Sequence, residues 1–366
     1  MKNSQENHSK IIKRSLMSTG NNYRMKKTMK KAGNGQKITI AYLGGSITEG
    51  YNGGPEKCYS KLTSDYFANN FGTGNNVNYI NAGRAGTTST IELIRIEEGL
   101  LIHKPDIVFV EFAVNDAKNK TSMTAFESLL LRILGSEYET AIVLLFTIAE
   151  SGFSCQNEMA QIGSHYELPM ISVKNAIVPE FDEGTMKWQD YSDDYIHPHE
   201  KGHEFITELI KNYLNEVSNE VQDDVYNVSQ TPIVGNEFKN LKMLDNTNTP
   251  VENSGGFFPD ITINQFPNGW THKGGNNRGE FCFYLYCKNL FIVYKISKNT
   301  QIGSIDIYID DIYVLTLNGF NSSGWNNPAS KLLINHEIPA THKIKIKMSK
   351  DSQDKEFSIL AFGYSD

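Results

Sequence analysis

A chain of 366 residues exceeds the size at which a single hydrophobic core stops growing, so two domains are expected. With 39% hydrophobic and 21% charged residues it is an ordinary globular chain, and its net charge of −7 argues against nucleic acid as the main partner. No apolar run is long enough to span a bilayer, so no membrane partner is expected either.

The charge is unevenly spread. Met1–Lys31 holds nine Lys or Arg against one acid, Glu6, which makes this stretch +8 and leaves −15 for the rest. Residues 1–35 therefore read as a basic N-terminal arm. It is either a solvated lead-in ending in a short helix near Tyr23–Lys31, or a binder of phosphates or an anionic surface. No uninterrupted apolar run follows the leading cations, so an export signal is not expected. The four cysteines lack metal-ligand spacing, and Cys282 and Cys287 point to opposite faces of one strand-like run. Four free thiols in a cytoplasmic protein is the expectation.

From 36 to 222 two kinds of segment alternate. Short apolar runs at Lys37–Gly44, Val77–Asn81, Asp106–Glu111, Ala141–Phe146 and Met170–Val173 predict strands. Helical patterns fall near Tyr59–Asn70, Thr90–His103, Thr124–Leu134, Cys155–Tyr166 and Glu200–Val217. Ser89 followed by Glu92 predicts a capping box at the start of the second helix. Such alternation specifies an α/β unit with a parallel sheet covered on both faces, and its site at the carboxyl ends of the strands. From 223 to 366 the connections are rich in Asn, Gly, Ser and Thr. Alternating runs at Phe281–Ile296, Ser304–Leu317, Lys343–Met348 and Phe357–Phe362 predict an antiparallel β-sandwich.

Four segments carry chemistry. The first strand ends in Gly44-Gly45-Ser46, which presents a serine where strand turns into loop. The second runs into Asn81-Ala82-Gly83-Arg84-Ala85-Gly86, leaving backbone N–H groups before a helix to meet negative charge. The third ends at Asn115-Asp116, an amide donor or an ordinary turn pair. Far downstream lies Asp194-Tyr195-Ile196-His197-Pro198, a base titrating near neutrality with a carboxylate three residues away. Pro198 restricts His197 to an extended conformation.

In this order, these residues resemble the SGNH, or GDSL-like, hydrolase family over about Lys37–Leu214. The resemblance implies a three-layer α/β/α domain in which Ser46 is the nucleophile and Asp194 and His197 complete the triad. The implied oxyanion donors are the N–H groups of Ser46 and Gly86 and the side chain of Asn115, and no cofactor is needed. The sequence departs from Gly-Asp-Ser, having Gly44-Gly45 before Ser46. Gly-Gly-Ser-Ile-Thr is similar to bacterial carbohydrate esterases, including acetylxylan esterases, which implies an acylated saccharide as substrate. In those esterases a β-sandwich commonly precedes the hydrolase domain, whereas here it follows.

Other readings use the same residues. His197, His199 and His203 could ligate zinc or iron. Glu49, Arg84 and Trp188, with Tyr51, Tyr191 and Tyr195, lie near the motifs and could receive a sugar, or Trp188 could simply pack its loop. Trp270, Trp325, Phe257 and Phe258 would stack on glycans if exposed, or plug a jelly-roll or carbohydrate-binding-like core if buried. A lipase or thioesterase, an O-acyltransferase with the same triad, and a glycan-binding module with a vestigial site remain alternatives, and a homo-oligomer is left open.

Overall fold

The computed structural model describes residues 2–229, 231–261, 263–275 and 279–366. Contacts divide the chain into one unit of Met1–Glu92 with Ile96–Asn236 and another of Leu93–Arg95 with Glu237–Asp366. The first unit opens with α1 (Lys2–Ser15), β1 (Leu16–Ser18) and α2 (Tyr23–Gly33). It continues through β2 (Ile38–Gly44), α3 (Ser46–Glu49), α4 (Tyr59–Asn70), β3 (Val77–Asn81), α5 (Ser89–Ile94) and α6 (Ile96–Gly99). Then come β4 (Ile107–Glu111), α7 (Lys120–Leu134), β5 (Ala141–Phe146), α8 (Gln156–His165), β6 (Met170–Ser172), α9 (Val173–Asp182) and α10 (Glu200–Asn219).

The strands form one sheet in the order β1-β6-β5-β4-β2-β3, parallel except for β1. Their side chains alternate between two buried faces, as a parallel sheet requires. Ile38, Ile40, Tyr42, Phe109, Val143 and Leu145 join a core with residues of α2, α4, α9 and α10. Leu43, Val110 and Leu144 are buried on the other face, where Gly163 of α8 packs against Leu144. Where one helix is predicted over Thr90–His103, the chain forms two short ones and a final 3-10 turn, and Gly99 ends the second.

The N-terminal stretch is folded rather than a solvated lead-in. Ile11, Ile12 and Leu16 pack against the core, an apolar stripe too short to stand out among the cations. Part of the stretch's positive charge is engaged by the fold, while Lys10, Lys13, Lys27 and Lys30 are exposed. Arg14 pairs with Glu180 at 2.7 Å, Lys31 with Asp106 at 2.6 Å, and Lys27 with Glu139. Lys26 Nζ reaches the last carbonyls of α10, at 3.2 Å from Val217, 2.9 Å from Ser218 and 2.7 Å from Glu220.

The first unit also extends past the composition change at 223. Buried Glu127 of α7 accepts the N–H groups of Ile233, Val234 and Gly235 at 2.7–2.9 Å, and the Tyr166 hydroxyl at 2.7 Å. These charge-assisted bonds hold residues 233–235 on the α/β unit.

The second unit is antiparallel. It comprises β7 (Lys242–Leu244), β8 (Asn253–Ser254), β9 (Phe257–Asp260), β10 (Gly269–Lys273), β11 (Phe281–Ser297), β12 (Ser304–Ile309), β13 (Ile312–Asn318), β14 (Trp325–Met348) and β15 (Glu356–Ser365). In place of two separately bonded sheets, all nine strands are linked into one, with bulges in the long β11–β14 ladder. The predicted run Ser304–Leu317 is a hairpin, turning at Asp310 and Asp311, whose φ angles of 53° and 62° suit a two-residue loop. Phe257 and Trp270 are buried in its core, while Phe258 and Trp325 are exposed. All four cysteines are free. Among the described residues no helix is long and apolar enough to cross a membrane.

Candidate active site

From β2 the chain passes first to β3 on one side, then to β4 on the other. A crevice opens at such a switch point, outside the carboxyl ends of the strands. Ser46 stands there as the first residue of α3, immediately after β2. The loop after β3 brings Gly86 from one flank, and the loop after β4 brings Asn115 from the other.

Ser46 Oγ lies 2.8 Å from His197 Nε2, and His197 Nδ1 lies 2.8 Å from Asp194 Oδ2. Because Asp194 can only accept when ionised, Nδ1 carries the proton and Nε2 is left to accept from the Ser46 hydroxyl. Asp194 Oδ1 accepts the N–H groups of Ile196 at 2.8 Å and His197 at 2.6 Å. Burial alone would raise the Asp194 pKa, but these N–H donors and the His197 ring outweigh it and hold the pKa below its ordinary value. Ser192 Oγ closes the loop, 2.5 Å from the His197 carbonyl oxygen and 2.9 Å from that of Asp194.

Gly86 has φ +74°, a conformation that favours glycine, and its N–H has no acceptor among the described residues. The Ser46 N–H is likewise free, as the first N–H of a helix is. The Asn115 amide lies against Gly45, where a Cβ would stand 2.4 Å from Nδ2. That contact explains why glycine occupies the position before the serine. No acceptor for Asn115 Nδ2 lies among the described residues, so all three groups are available to an oxyanion.

Two buried carboxylates brace these loops. Asp116 accepts Ser89 N–H at 2.9 Å and Ser89 Oγ–H at 2.5 Å, tying the Gly86 loop to the Asn115 loop. Ser89 thus serves Asp116 instead of the predicted capping box, and Thr88 Oγ1 accepts the N–H of Ile91 at 3.4 Å. Glu111, at the end of β4, accepts from Thr147 at 2.6 Å and from Thr48 at 3.3 Å. Burial pushes both acids up to about 7, against the lowering effect of their hydroxyl donors.

The proposed sugar contacts divide. Glu49 is exposed and accepts the Ala85 N–H at 2.9 Å, while half-buried Arg84 donates to the Gly83 carbonyl at 2.7 Å. Trp188 is only 8% exposed, packs on Phe181 and Tyr191, and donates to the Asp194 carbonyl at 2.5 Å. Its ring therefore supports the His loop and offers no face to a ligand. Tyr51 and Tyr195, at 54% and 77% exposure, are the aromatic groups left at the rim.

His199 and His203 are occupied structurally. His199 Nδ1 caps α10 by accepting the Gly202 N–H at 3.1 Å, and His203 bridges Tyr51 and Tyr59. Among the described residues no three His, Cys, Asp or Glu are grouped to hold a metal. Tyr51, Asn52 and Ser192 escaped sequence reasoning as partners of the pair, because each meets it through a turn rather than a spaced motif.

A serine hydrogen-bonded to a carboxylate-backed imidazole, beside N–H donors with no acceptor among the described residues, is the arrangement that serine-dependent hydrolysis requires. Residues 42–205 match the GDSL-like Lipase/Acylhydrolase family, and the chain resembles carboxyl-ester hydrolases of this SGNH type. The sequence matches none of the curated proteins. Among solved structures it is similar to a two-domain esterase (CEX) active on acetylated mannans, with a TM-score of 0.89 and 25% identity over 97% of this chain and 98% of that one. The same esterase co-crystallised with mannopentaose gives a TM-score of 0.88 and 26% identity, again over 97% and 98%.

Proposed function

We propose that this protein removes short acyl groups, acetyl above all, from a polysaccharide or oligosaccharide through an acyl-enzyme on Ser46. The observation that carries the proposal is the unbroken Ser46–His197–Asp194 chain of 2.8 Å contacts beside three unpaired donors. Similarity over nearly the whole chain to an esterase active on acetylated mannans supports the saccharide. In the proposed reaction His197 Nε2 takes the proton of Ser46 as Oγ attacks the ester carbonyl. The N–H groups of Ser46 and Gly86 and the Asn115 amide receive the oxyanion. His197 then protonates the departing sugar oxygen, and water, activated in turn by His197, releases the acid. Asp194, held ionised by its N–H donors, stabilises the imidazolium at each step.

The test is hydrolysis of p-nitrophenyl acetate, butyrate and octanoate, with acetate release from acetylated manno- and xylo-oligosaccharides, by wild type and Ser46→Ala. Preference for acetate, deacetylation of a sugar and loss of both activities in Ser46→Ala are expected. Preference for long chains would replace the saccharide with a lipid or thioester, and equal activity of the two proteins would overturn the nucleophile. One oxyanion donor is worth about 3–4 kcal/mol, so Asn115→Ala should lower kcat roughly a hundredfold or more. Near-normal turnover would remove Asn115 from that role.

A further inference from the structure

We propose that the segment Tyr51–Gly53 is a positioning strap for the His197–Asp194 pair, acting through the Asn52 amide and the Tyr51 ring. The inference rests on the reading of those two residues as base and orienting acid. The strap begins on the nucleophile's own turn, where the Tyr51 N–H donates to the Ser46 carbonyl at 3.0 Å. Its next two side chains then reach the two other members of the triad.

The Tyr51 ring lies 4.4 Å from the His197 ring, tilted by 49°, and so closes one side of the imidazole. Asn52 Nδ2 donates to Asp194 Oδ2 at 3.3 Å, the same oxygen that takes the His197 Nδ1 proton. With two N–H groups on Oδ1, the carboxylate then has a donor for each of its four acceptor sites. Asn52 makes this contact from φ +64°, a left-handed conformation that Asn adopts more readily than most residues bearing Cβ. From this backbone the amide is aimed at Asp194.

What fixes it is His203. Its Nδ1 accepts the Tyr59 N–H at 3.3 Å, so the proton sits on Nε2, which donates to the Tyr51 carbonyl at 3.1 Å. Burial pushes its pKa down to about 4, which keeps the ring neutral and this tautomer in place. The His203 ring also fills the space beside Gly53, where a Cβ would stand 2.4 Å from it. A histidine with metal-ligand spacing in the sequence is thus the clamp behind the strap.

Asn52→Gly tests this, because it deletes the amide while keeping the left-handed backbone accessible. Asn52→Asp replaces the donor with a second negative charge. The groups facing His197 are the Ser46 hydroxyl, the Asp194 carboxylate and the Tyr51 ring, with His199 and a neutral His203 nearby. Losing the amide leaves the Asp194 charge undiluted, so the His197 pKa should rise in Asn52→Gly and rise further in Asn52→Asp. It is read by NMR titration of the imidazole, which needs no turnover. With p-nitrophenyl acetate, kcat of Asn52→Gly should fall roughly tenfold with KM within about twofold, since misorientation of the base costs the chemical step and not binding. A folded Asn52→Gly with wild-type His197 titration and wild-type kcat would overturn the strap. If wild type and Ser46→Ala are equally inert, the hydrolytic reading fails, and the titration alone still decides whether Asn52 acts on the pair.

Discussion

At the scale of single residues, the candidate site depends on two glycines in different ways. Gly45 is needed for space: a Cβ there would meet Asn115 Nδ2 at 2.4 Å and Oδ1 at 2.7 Å. Gly45→Ala should therefore displace the amide and lower kcat on p-nitrophenyl acetate at least tenfold, with little change in KM. Gly86 is needed for conformation, since its φ of +74° favours glycine, and its N–H has no acceptor among the described residues. Gly86→Ala should cost about 1–2 kcal/mol of stability and also lower kcat, checked by thermal melting beside kinetics. Trp188 illustrates the opposite case, in which a residue expected at the substrate face is turned inward to hold the Asp194 carbonyl.

At the scale of elements, α10 carries the His loop on its N-terminus and depends on partners at both ends. Its first turn is capped by His199 and its last carbonyls by Lys26 from α2. A cation at a helix C-terminus contributes about 0.3–1 kcal/mol. Lys26→Met keeps the stem, removes the charge, and should lower Tm by a few degrees without altering kcat on p-nitrophenyl acetate. A loss of turnover at unchanged Tm would show that α2 acts on the site rather than on the helix. In the same way α5 is anchored less by its own sequence than by Asp116, which lies beyond the next strand.

At the scale of the α/β unit, the sheet order that creates the crevice also buries acids beneath it. Glu111 and Asp116 titrate near 7 in the folded chain, far above the unfolded range near 4. Between those values the folded state holds more protons than the unfolded one, so their contribution to stability is present at low pH and is lost as pH rises through about 7. Glu111→Gln removes one such group. Its Tm relative to wild type should climb between about pH 4 and pH 8, and a flat difference would show that Glu111 is not protonated in the fold.

The sequence by itself determined the residue types that meet at the site, because strand-end patterns are local. A serine after Gly-Gly, a glycine before a Thr-rich helix start, an Asn-Asp pair and Asp-x-x-His can each be read within a few residues. The alternation of short apolar runs with helical patterns likewise determined a parallel sheet, since a strand buried on both faces must be apolar throughout. Only tertiary structure decided which polar groups those residues lean on. Asn52 reaches Asp194 across 142 positions, and Ser89 leaves its own helix start for an acid 27 positions away. Arg14, Lys26 and Lys31, counted with a basic arm, find acids and carbonyls more than 70 residues distant. Hydrogen bonds and charges are satisfied by whatever lies within a few ångströms in space, and no periodicity along the chain encodes that.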